Sequence, residues 1–231
     1  MFRDILFNIF YWPIFAIYLI IMYPIIYFSN NQKFAYKIAF KPVCNLTMFC
    51  LKIFNNIDYK IENLDILKDN IKNGPIIIGC NHQSAWETFI FAKLFDKLSI
   101  VIKKELLNVP IAGIYFKKLG CIAIDRSSSI KSIKDLMKYG KISSEKNVSI
   151  LIFPNGTRSE YGEDVEYKSG LYAMYKYLNI PILPAKVDSG KFWPRRSFKK
   201  NPGTITMSFK NLIHPGLSKE DFMQTFENEM Q

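Results

Sequence analysis

The stretch CNHQSAWETF, residues 80–89, holds one of only two histidines in the 231-residue chain and a glutamate five positions after it. Residues five apart on a continuous helix lie about 140° from each other, so His82 and Glu87 can meet only if His82 precedes the helix. Ser84 is a favourable N-cap, and Ser84 to Glu87 form a capping-box pattern that places Glu87 in the first helical turn. From that turn, the carboxylate can reach back toward the loop that carries His82.

Two interpretations of this pair remain open at this point. In the first, Glu87 only caps the helix and His82 only satisfies backbone groups of the loop. In the second, the carboxylate fixes the imidazole tautomer, and the other ring nitrogen removes a proton from an attacking hydroxyl. The second interpretation predicts a general base that needs no separate protein nucleophile.

Other chemistry for the same stretch is disfavoured. A hydrolase nucleophile at Ser84 would be expected within a Gly-x-Ser-x-Gly elbow, which the sequence lacks. A metal site would need more ligands, because the second histidine, His214, precedes a proline in a predicted surface turn. No Cys-x-x-Cys pair occurs, so we expect free buried thiols in a reducing compartment at all four cysteines: Cys44, Cys50, Cys80 and Cys121. We therefore expect no bound metal.

The second candidate stretch is FPNGTRSE, residues 153–160, directly after an apolar run. Gly156 lets the backbone approach an anion closely, Thr157 adds a hydroxyl donor, and Arg158 offers a planar fork suited to phosphate or carboxylate oxygens. The same letters also fit a hairpin turn, and Asn155 begins a glycosylation sequon that a cytoplasmic location would make irrelevant.

Further cations follow two other predicted strands. Lys103 and Lys104 end one apolar run, and Arg126 ends the stretch GCIAIDR. A lysine pair is also typical of a solvated face, and Asp125 can form a local salt bridge with Arg126. These residues are candidates for binding an anionic substrate together with the stretch at 153–160.

The elements that must position these residues follow from the hydrophobic pattern. Short β-branched runs predict strands at residues 75–79, 98–102, 122–124, 148–153, 182–187 and 205–209. Longer patterns predict helices near residues 84–95, 105–118, 128–140 and 168–179, with a last helix from residue 218 onward. This alternation predicts an α/β fold with a mixed, mostly parallel sheet flanked by helices. In such sheets ligands bind outside the carboxyl ends of the strands, where the candidate residues lie.

The N-terminal region has a different texture. Residues 5–28 are uncharged and almost wholly apolar, which is enough helix to span a bilayer core of about 30 Å. The next segment repeats lysines at helical spacing among apolar residues, a pattern typical of an amphipathic helix at a membrane interface. Pro24 and the following asparagines permit a hairpin, so a span and a re-entrant hairpin both remain open. A cleaved signal peptide fits poorly, because the apolar stretch is too long and lacks a small-residue cleavage site.

These observations divide the chain into an N-terminal membrane-anchoring segment, residues 1–57, and an α/β domain, residues 58–231. Lysines after the apolar stretch predict that the domain lies on the cytoplasmic side of the membrane. The formal net charge of +11 indicates an anionic partner. Basic and aromatic residues in segment 189–203 fit an anionic membrane surface, an acidic carrier protein or a solvated loop. Nucleic acid is disfavoured, because no RNA-binding signature is present.

In order and spacing, these stretches together resemble the glycerophospholipid acyltransferase family, and within it the lysophosphatidic acid acyltransferases. The family's Asn-His-x4-Asp/Glu motif is NHQSAWE here, and its Asp-Arg strand end is GCIAIDR. FPNGTR corresponds to Phe-Pro-Glu-Gly-Thr-Arg, and IPILPAKVDSG to a Pro-x-x-Pro strand that ends near Asn-Ser-Gly. Asn155 stands where the family usually has glutamate, and Asp188 replaces the more common asparagine.

The resemblance implies an α/β acyltransferase without a cofactor that uses acyl-CoA or acyl carrier protein as co-substrate. His82 would deprotonate the free hydroxyl of lysophosphatidic acid, and Glu87 would orient His82 and stabilise its imidazolium. Backbone N–H groups near residues 81–83 would stabilise the oxyanion. The acceptor's phosphate would be bound by Arg126, Arg158 and one of Lys103 or Lys104, with the loop of Asn155, Gly156 and Thr157. Another lysolipid acceptor, and a non-catalytic membrane-binding protein of the same fold, are the alternatives.

Overall fold

The computed structural model describes residues 2–231, with the side chain of Ser129 left aside. Within these residues seven strands form one sheet in the order β1-β7-β6-β2-β5-β3-β4. The strands are β1 Ile57–Glu62, β2 Ile77–Cys80, β3 Ser99–Lys103, β4 Ile122–Ile124, β5 Ile150–Ile152, β6 Ile182–Val187 and β7 Gly203–Phe209. Neighbouring strands of this sheet run parallel, except that β6 and β7 are antiparallel. The predicted mixed, mostly parallel sheet is therefore confirmed.

The centre of the sheet is formed by strands buried along their whole length. β2 and β5 are continuous apolar runs with every residue buried, as expected for parallel strands covered on both faces. β1 lies at one edge and alternates apolar with charged residues. The sequence-based prediction omitted β1, because its alternation of apolar and charged residues leaves no continuous apolar run.

Helices cover both faces of the sheet. They are α1 Phe2–Phe28, α2 Gln32–Ala35, α3 Lys41–Asn55, α4 Leu64–Lys72, α5 Trp86–Leu94, α6 Ala112–Lys118, α7 Ser129–Glu145, α8 Gly170–Leu178 and α9 Lys219–Met230. A π-helical turn, Tyr36–Phe40, joins α2 to α3. The prediction omitted α4, and its single helix over 105–118 is wrong. That region is a 3-10 helix, Lys104–Asn108, followed by α6, because Pro110 holds the preceding Val109 in an extended conformation.

The N-terminal region forms a helical hairpin. α1 is long and apolar enough to cross a membrane by length and composition, and the helices α2 and α3 turn back along it. α1 also contacts the α/β domain near both of its ends. The Lys200 N–H donates to Asp4 Oδ1 at 3.0 Å, the Tyr115 hydroxyl donates to the Leu19 carbonyl at 2.6 Å, and Lys118 Nζ lies 2.7 Å from the Ser29 carbonyl. This helix therefore lies along the domain rather than projecting from it.

One hydrophobic core joins the hairpin to the sheet. Phe7 and Tyr11 of α1 and Tyr36 of the π-helical turn are fully buried in the same cluster as the β2 residue Ile78. The Tyr36 hydroxyl donates to the carbonyl of Leu98 at 2.6 Å, just before β3. The predicted boundary at residue 57 marks a change of composition within a shared core, and removal of residues 1–57 would uncover that core.

Candidate active site

The loop between β2 and α5 places His82 at the carboxyl end of the sheet. Asn81 fixes the start of this loop, because its side-chain amide donates to the Val187 carbonyl and accepts from the Val187 N–H, both at 2.8 Å. Val187 ends β6, the strand beside β2. The His82 ring then stacks on the Phe153 ring with centroids 4.0 Å apart. Backbone pairing and ring stacking together hold the imidazole in one orientation.

Glu87 is fully buried beneath His82. Its Oε2 lies 3.3 Å from His82 Nδ1, and its Oε1 accepts from the backbone N–H groups of Ser84 and Gln83 at 3.0 and 3.2 Å. The Ser189 hydroxyl also donates to Oε1. Glu87 therefore makes the contacts that each interpretation requires, since it accepts from the backbone of the loop before the helix and lies within hydrogen-bond distance of the histidine ring.

Two details of the predicted loop are wrong. The helix begins at Trp86 with Ala85 as the N-cap, and the Ser84 hydroxyl accepts a hydrogen bond from the Trp86 N–H at 3.3 Å. The Gln83 N–H, one of the groups expected to stabilise an oxyanion, is directed to Glu87. The N–H groups of Gln83 and Ser84 are thus directed to the buried carboxylate and not to an oxyanion.

The partners on either side of His82 define its tautomer. Arg158 donates its Nε–H to His82 Nε2 at 3.4 Å, so Nε2 carries the lone pair and Nδ1–H points to Glu87. Glu87 does not line the adjacent cavity, whereas Arg158 and His82 do. The basic nitrogen is thus the one on the cavity side, which is the arrangement that a general base requires.

The cavity in front of His82 has a volume of about 560 Å³ and a lining of two chemically different groups of residues. The apolar group comes mainly from the N-terminal hairpin, α5 and α6: Phe15, Leu19, Phe40, Val43, Phe89, Tyr115 and Phe116. The cationic group is Lys103, Arg126, Arg158, Arg195 and Arg196. His82 is part of the same lining. This combination of residues suits an amphiphile with an apolar chain and an anionic head.

The predicted anion-binding residues take different positions. Lys103, Arg126, Thr157 and Arg158 line the cavity, whereas Lys104 does not. Arg126 also donates to the Gly156 carbonyl, which ties the ends of β4 and β5 together. Gly156 has φ +73°, a left-handed conformation that favours glycine.

Asn155, predicted in the same anion-binding group, is buried outside the cavity lining. Its Nδ2 donates to the His82 carbonyl at 3.3 Å, and the Ser159 N–H donates to the same carbonyl at 2.8 Å. The side chain that replaces the family's usual glutamate therefore contacts the histidine loop. A carboxylate at this position would lack the donor that the amide provides.

Several functional neighbours were missed by sequence reasoning. Ser189 contacts Glu87, and Arg195 and Arg196 line the cavity. Of the interpretations left open for segment 189–203, display of aromatic side chains to a membrane or carrier does not hold for Phe192 and Trp193, which are buried. The sequence signal for Ser189, Arg195 and Arg196 was their position after the strand β6, because a strand end at the centre of a parallel sheet lies beside the ligand site.

Burial and neighbouring charges act on the arginines that line the cavity. Burial lowers the pKa of Arg158, and the nearby charge of Arg195 lowers it further, while the buried carboxylate of Glu87 acts in the opposite direction. Burial also lowers the pKa of Arg126. Among the described residues, no carboxylate lies within 4.0 Å of the guanidinium groups of Arg126, Arg158 or Arg195. The guanidinium groups remain available for an external anion.

We expect burial to make the four cysteines unreactive, which argues against a thiol as a covalent acyl carrier. Burial raises the pKa of Cys80, next to the histidine loop, well above its usual range, and raises that of Cys44 and Cys121 to about 12. Burial also raises the pKa of Cys50. Because the thiolate is the reactive form, we expect iodoacetamide at pH 7 to leave the native protein unmodified and fully active. Mass spectrometry and an activity assay check this, and rapid inactivation with labelling of Cys80 would contradict it.

Comparison with known proteins agrees with this site. The profile of the acyltransferase family matches residues 60–188, which include both candidate stretches. A protein of Pseudomonas aeruginosa named 1-acyl-sn-glycerol-3-phosphate acyltransferase is 34% identical over 78% of this chain and 68% of its own length. A coconut protein, Cocos nucifera, with the same name is 30% identical over 59% of this chain. The match covers only 45% of the coconut protein.

The fold also has a solved counterpart. The crystal structure of the 1-acyl-sn-glycerophosphate (LPA) acyltransferase PlsC from Thermotoga maritima matches 98% of this chain and 94% of its own with a TM-score of 0.74. Sequence identity between the two is 18%. The likeness covers the N-terminal hairpin as well as the sheet, so both parts of the architecture occur together in another protein.

Proposed function

The chain belongs to the acyltransferase family, and on that basis we propose that it moves a fatty acyl group from an acyl thioester to the free hydroxyl of lysophosphatidic acid. The product is phosphatidic acid, and the reaction is a step of phospholipid biosynthesis. The observation that carries the proposal is the position of His82, backed by buried Glu87, in the lining of a cavity that combines apolar residues with cations. The relatives named 1-acyl-sn-glycerol-3-phosphate acyltransferase support the same acceptor.

The chemistry proceeds by direct transfer. The acceptor hydroxyl first replaces the Arg158 N–H as the donor to His82 Nε2. His82 Nε2 then takes the proton of this hydroxyl as its oxygen attacks the thioester carbonyl, and Glu87 stabilises the imidazolium that forms. The tetrahedral intermediate collapses by breaking the carbon–sulfur bond, and the leaving sulfur receives the proton from His82. One ester and one free thiol result, so the proton and the electron pairs balance without a covalent acyl-enzyme.

The cavity orients the acceptor for this attack. The phosphate binds to the cations of the lining through Lys103, Arg126 and Arg158, because guanidinium and ammonium groups form charge-assisted hydrogen bonds with phosphate oxygens. The acyl chains lie against the apolar residues of the N-terminal hairpin. The donor is acyl-CoA or acyl carrier protein, both of which present a thioester, and the reaction needs no further cofactor.

The same hairpin anchors the protein to a membrane. α1 presents an exposed apolar face along its length: Phe2, Ile9, Phe10, Ile17, Ile20, Ile21, Ile25 and Phe28. Its opposite face packs on the domain, which favours a helix embedded in the interface over a simple span. Lys33 and Lys41 of the returning helices lie near Asp96 of the domain. These lysines and the α/β domain are therefore on the same side of the membrane. We place this side at the cytoplasmic face of the membrane.

Substituting the exposed face of α1 tests the anchor. Ile21 is 59% exposed, and we expect Ile21→Glu to weaken binding to vesicles of anionic phospholipid by about 10-fold or more, because burial of an isoleucine contributes about 1.5–3 kcal/mol. Ile130→Glu is the matched control, since Ile130 is 72% exposed on α7. Vesicle co-sedimentation measures both variants. Equal binding by Ile21→Glu and the wild type would show that another surface carries the anchor.

A panel of acceptors tests the proposed reaction. Purified protein receives one acyl thioester and, in separate reactions, lysophosphatidic acid, lysophosphatidylcholine, monoacylglycerol or glycerol 3-phosphate, and the lipid products are identified by mass spectrometry. We expect phosphatidic acid from lysophosphatidic acid as the dominant product. A product from another lysolipid alone would move the assignment to that acceptor, and no product from any acceptor would support the non-catalytic alternative.

A further inference from the structure

The loop between β6 and β7 brings a cation to the site that no sequence motif assigned. Arg195 is half-buried and lines the cavity beside Arg158. One of its terminal nitrogens donates to the Arg158 carbonyl at 2.5 Å. This bond uses one of the five guanidinium N–H donors and leaves the others for a ligand.

The loop holds Arg195 in place by packing on both sides. The Trp193 N–H donates to the Ser189 carbonyl at 2.8 Å, and the Asn201 N–H donates to the Phe192 carbonyl at the same distance. Trp193 packs edge-on against Phe7 of α1, with ring centroids 5.9 Å apart. Phe192 and Trp193 are both buried, so the backbone that precedes Arg195 is held against the protein core.

The adjacent positive charges of Arg158 and Arg195 favour the binding of an anion. Arg158 and Arg195 are close enough for the charge of Arg195 to disfavour that of Arg158, while the buried carboxylate of Glu87, 3.3 Å from His82 on the other side of the ring, favours it. No carboxylate within 4.0 Å offsets either guanidinium among the described residues. Two like charges side by side at a half-buried site are unfavourable until an anion lies between or beside them. Phosphate matches the planar donor geometry of arginine.

We propose that Arg195 is a phosphate-binding residue of this cavity that acts together with Arg158. The inference rests on the proposed function, because the phosphates in question belong to its substrates. The ligand is a phosphate ester, which is either the phosphomonoester of the acceptor or a phosphate of the thioester donor. The two sources are distinguished by removing the phosphate from one substrate at a time.

The experiment compares Arg195→Gln with Lys199→Gln, which removes one positive charge from an exposed position of the same loop outside the cavity lining. For the acceptor, kcat/KM is measured with lysophosphatidic acid and with monoacylglycerol, which lacks the phosphate. For the donor, kcat/KM is measured with acyl-CoA and with acyl-pantetheine, which lacks the phosphates. Each variant thus yields two ratios. The acceptor ratio is kcat/KM for lysophosphatidic acid divided by kcat/KM for monoacylglycerol, and the donor ratio is kcat/KM for acyl-CoA divided by kcat/KM for acyl-pantetheine.

We expect Arg195→Gln to lower one of these ratios by about 10- to 100-fold, the loss typical of a charge-assisted hydrogen bond, while Lys199→Gln leaves both within about twofold. A fall in the acceptor ratio would show that Arg195 binds the phosphomonoester of the acceptor. A fall in the donor ratio would show that Arg195 binds a phosphate of the donor. Unchanged ratios would overturn the proposal. Equal losses on both members of each pair would also overturn it, since a residue that only supports the Arg158 loop affects all substrates alike.

The wild type separates failure of this inference from failure of the proposed function. Wild-type protein that acylates lysophosphatidic acid, together with an Arg195→Gln variant of unchanged ratios, would leave the function standing and remove Arg195 from the phosphate site. Wild-type protein without acyl transfer would contradict the function itself. A calorimetric titration with inorganic phosphate then tests the site without either substrate. Equal affinity of wild type and Arg195→Gln for phosphate would contradict the proposal.

Discussion

His82→Ala is expected to lower kcat for acyl transfer by roughly 10²–10⁴-fold, the usual contribution of a positioned general base. The effect follows from the geometry of the ring, in which Nδ1 faces buried Glu87 and Nε2 faces the cavity. The loop should survive the substitution, because Asn155 and Ser159 bind the His82 carbonyl rather than its ring. Loss of the stack on Phe153 should cost stability on the order of 1 kcal/mol.

Initial rates of phosphatidic acid formation under saturating substrates measure this effect. His214→Ala is the matched control, because His214 is exposed and its contact with the Tyr175 hydroxyl uses its backbone carbonyl. We expect the control to retain full kcat and the His82 variant to keep a similar KM for the acceptor. A folded His82→Ala protein with kcat near that of the wild type would remove the general base from the account.

Glu87→Gln is expected to lower kcat by a similar factor while leaving the fold intact. The amide oxygen can still accept from the N–H groups of Ser84 and Gln83, as the carboxylate does. Its NH₂ group would then face His82 Nδ1 and donate to it, which reverses the tautomer and leaves the proton on Nε2. In a serine protease triad, the equivalent reversal costs about 10⁴-fold in kcat.

Thermal unfolding and kinetics of the same variant separate the two interpretations of Glu87. Ser189→Ala is a useful comparison, because it removes one hydrogen bond to the Glu87 carboxylate without changing the group that faces the histidine. We expect a smaller kcat loss for Ser189→Ala than for Glu87→Gln. Wild-type kcat in Glu87→Gln would mean that the carboxylate only closes the loop before α5.

The sequence was sufficient for the local parts of this site. The spacing of His82 and Glu87 around a strand-to-helix turn predicts their contact, which the structure shows. Apolar runs identify the buried central strands for the same reason, because burial on both faces leaves a continuous pattern. The break in the helix over 105–118 was also readable, since Pro110 restricts the residue before it.

Sequence could not predict contacts that depend on strand order. Ser189 reaches Glu87 because β6 lies beside β2, although the two residues are about a hundred positions apart. Arg195 enters the cavity because the aromatic residues before it bury themselves against the core rather than at a membrane. A basic segment with aromatics has the same composition in both settings, so only the tertiary packing distinguishes them.

Direct acyl transfer to lysophosphatidic acid is tested most directly by the stoichiometry of a single reaction. Wild-type protein in detergent micelles is given labelled acyl-CoA with and without lysophosphatidic acid, and phosphatidic acid, free thiol and the mass of the protein are measured together. The account predicts one phosphatidic acid per thiol released, no thiol release above background without acceptor, and an unmodified protein mass. An acylated protein, or thiol release without phosphatidic acid, would contradict it.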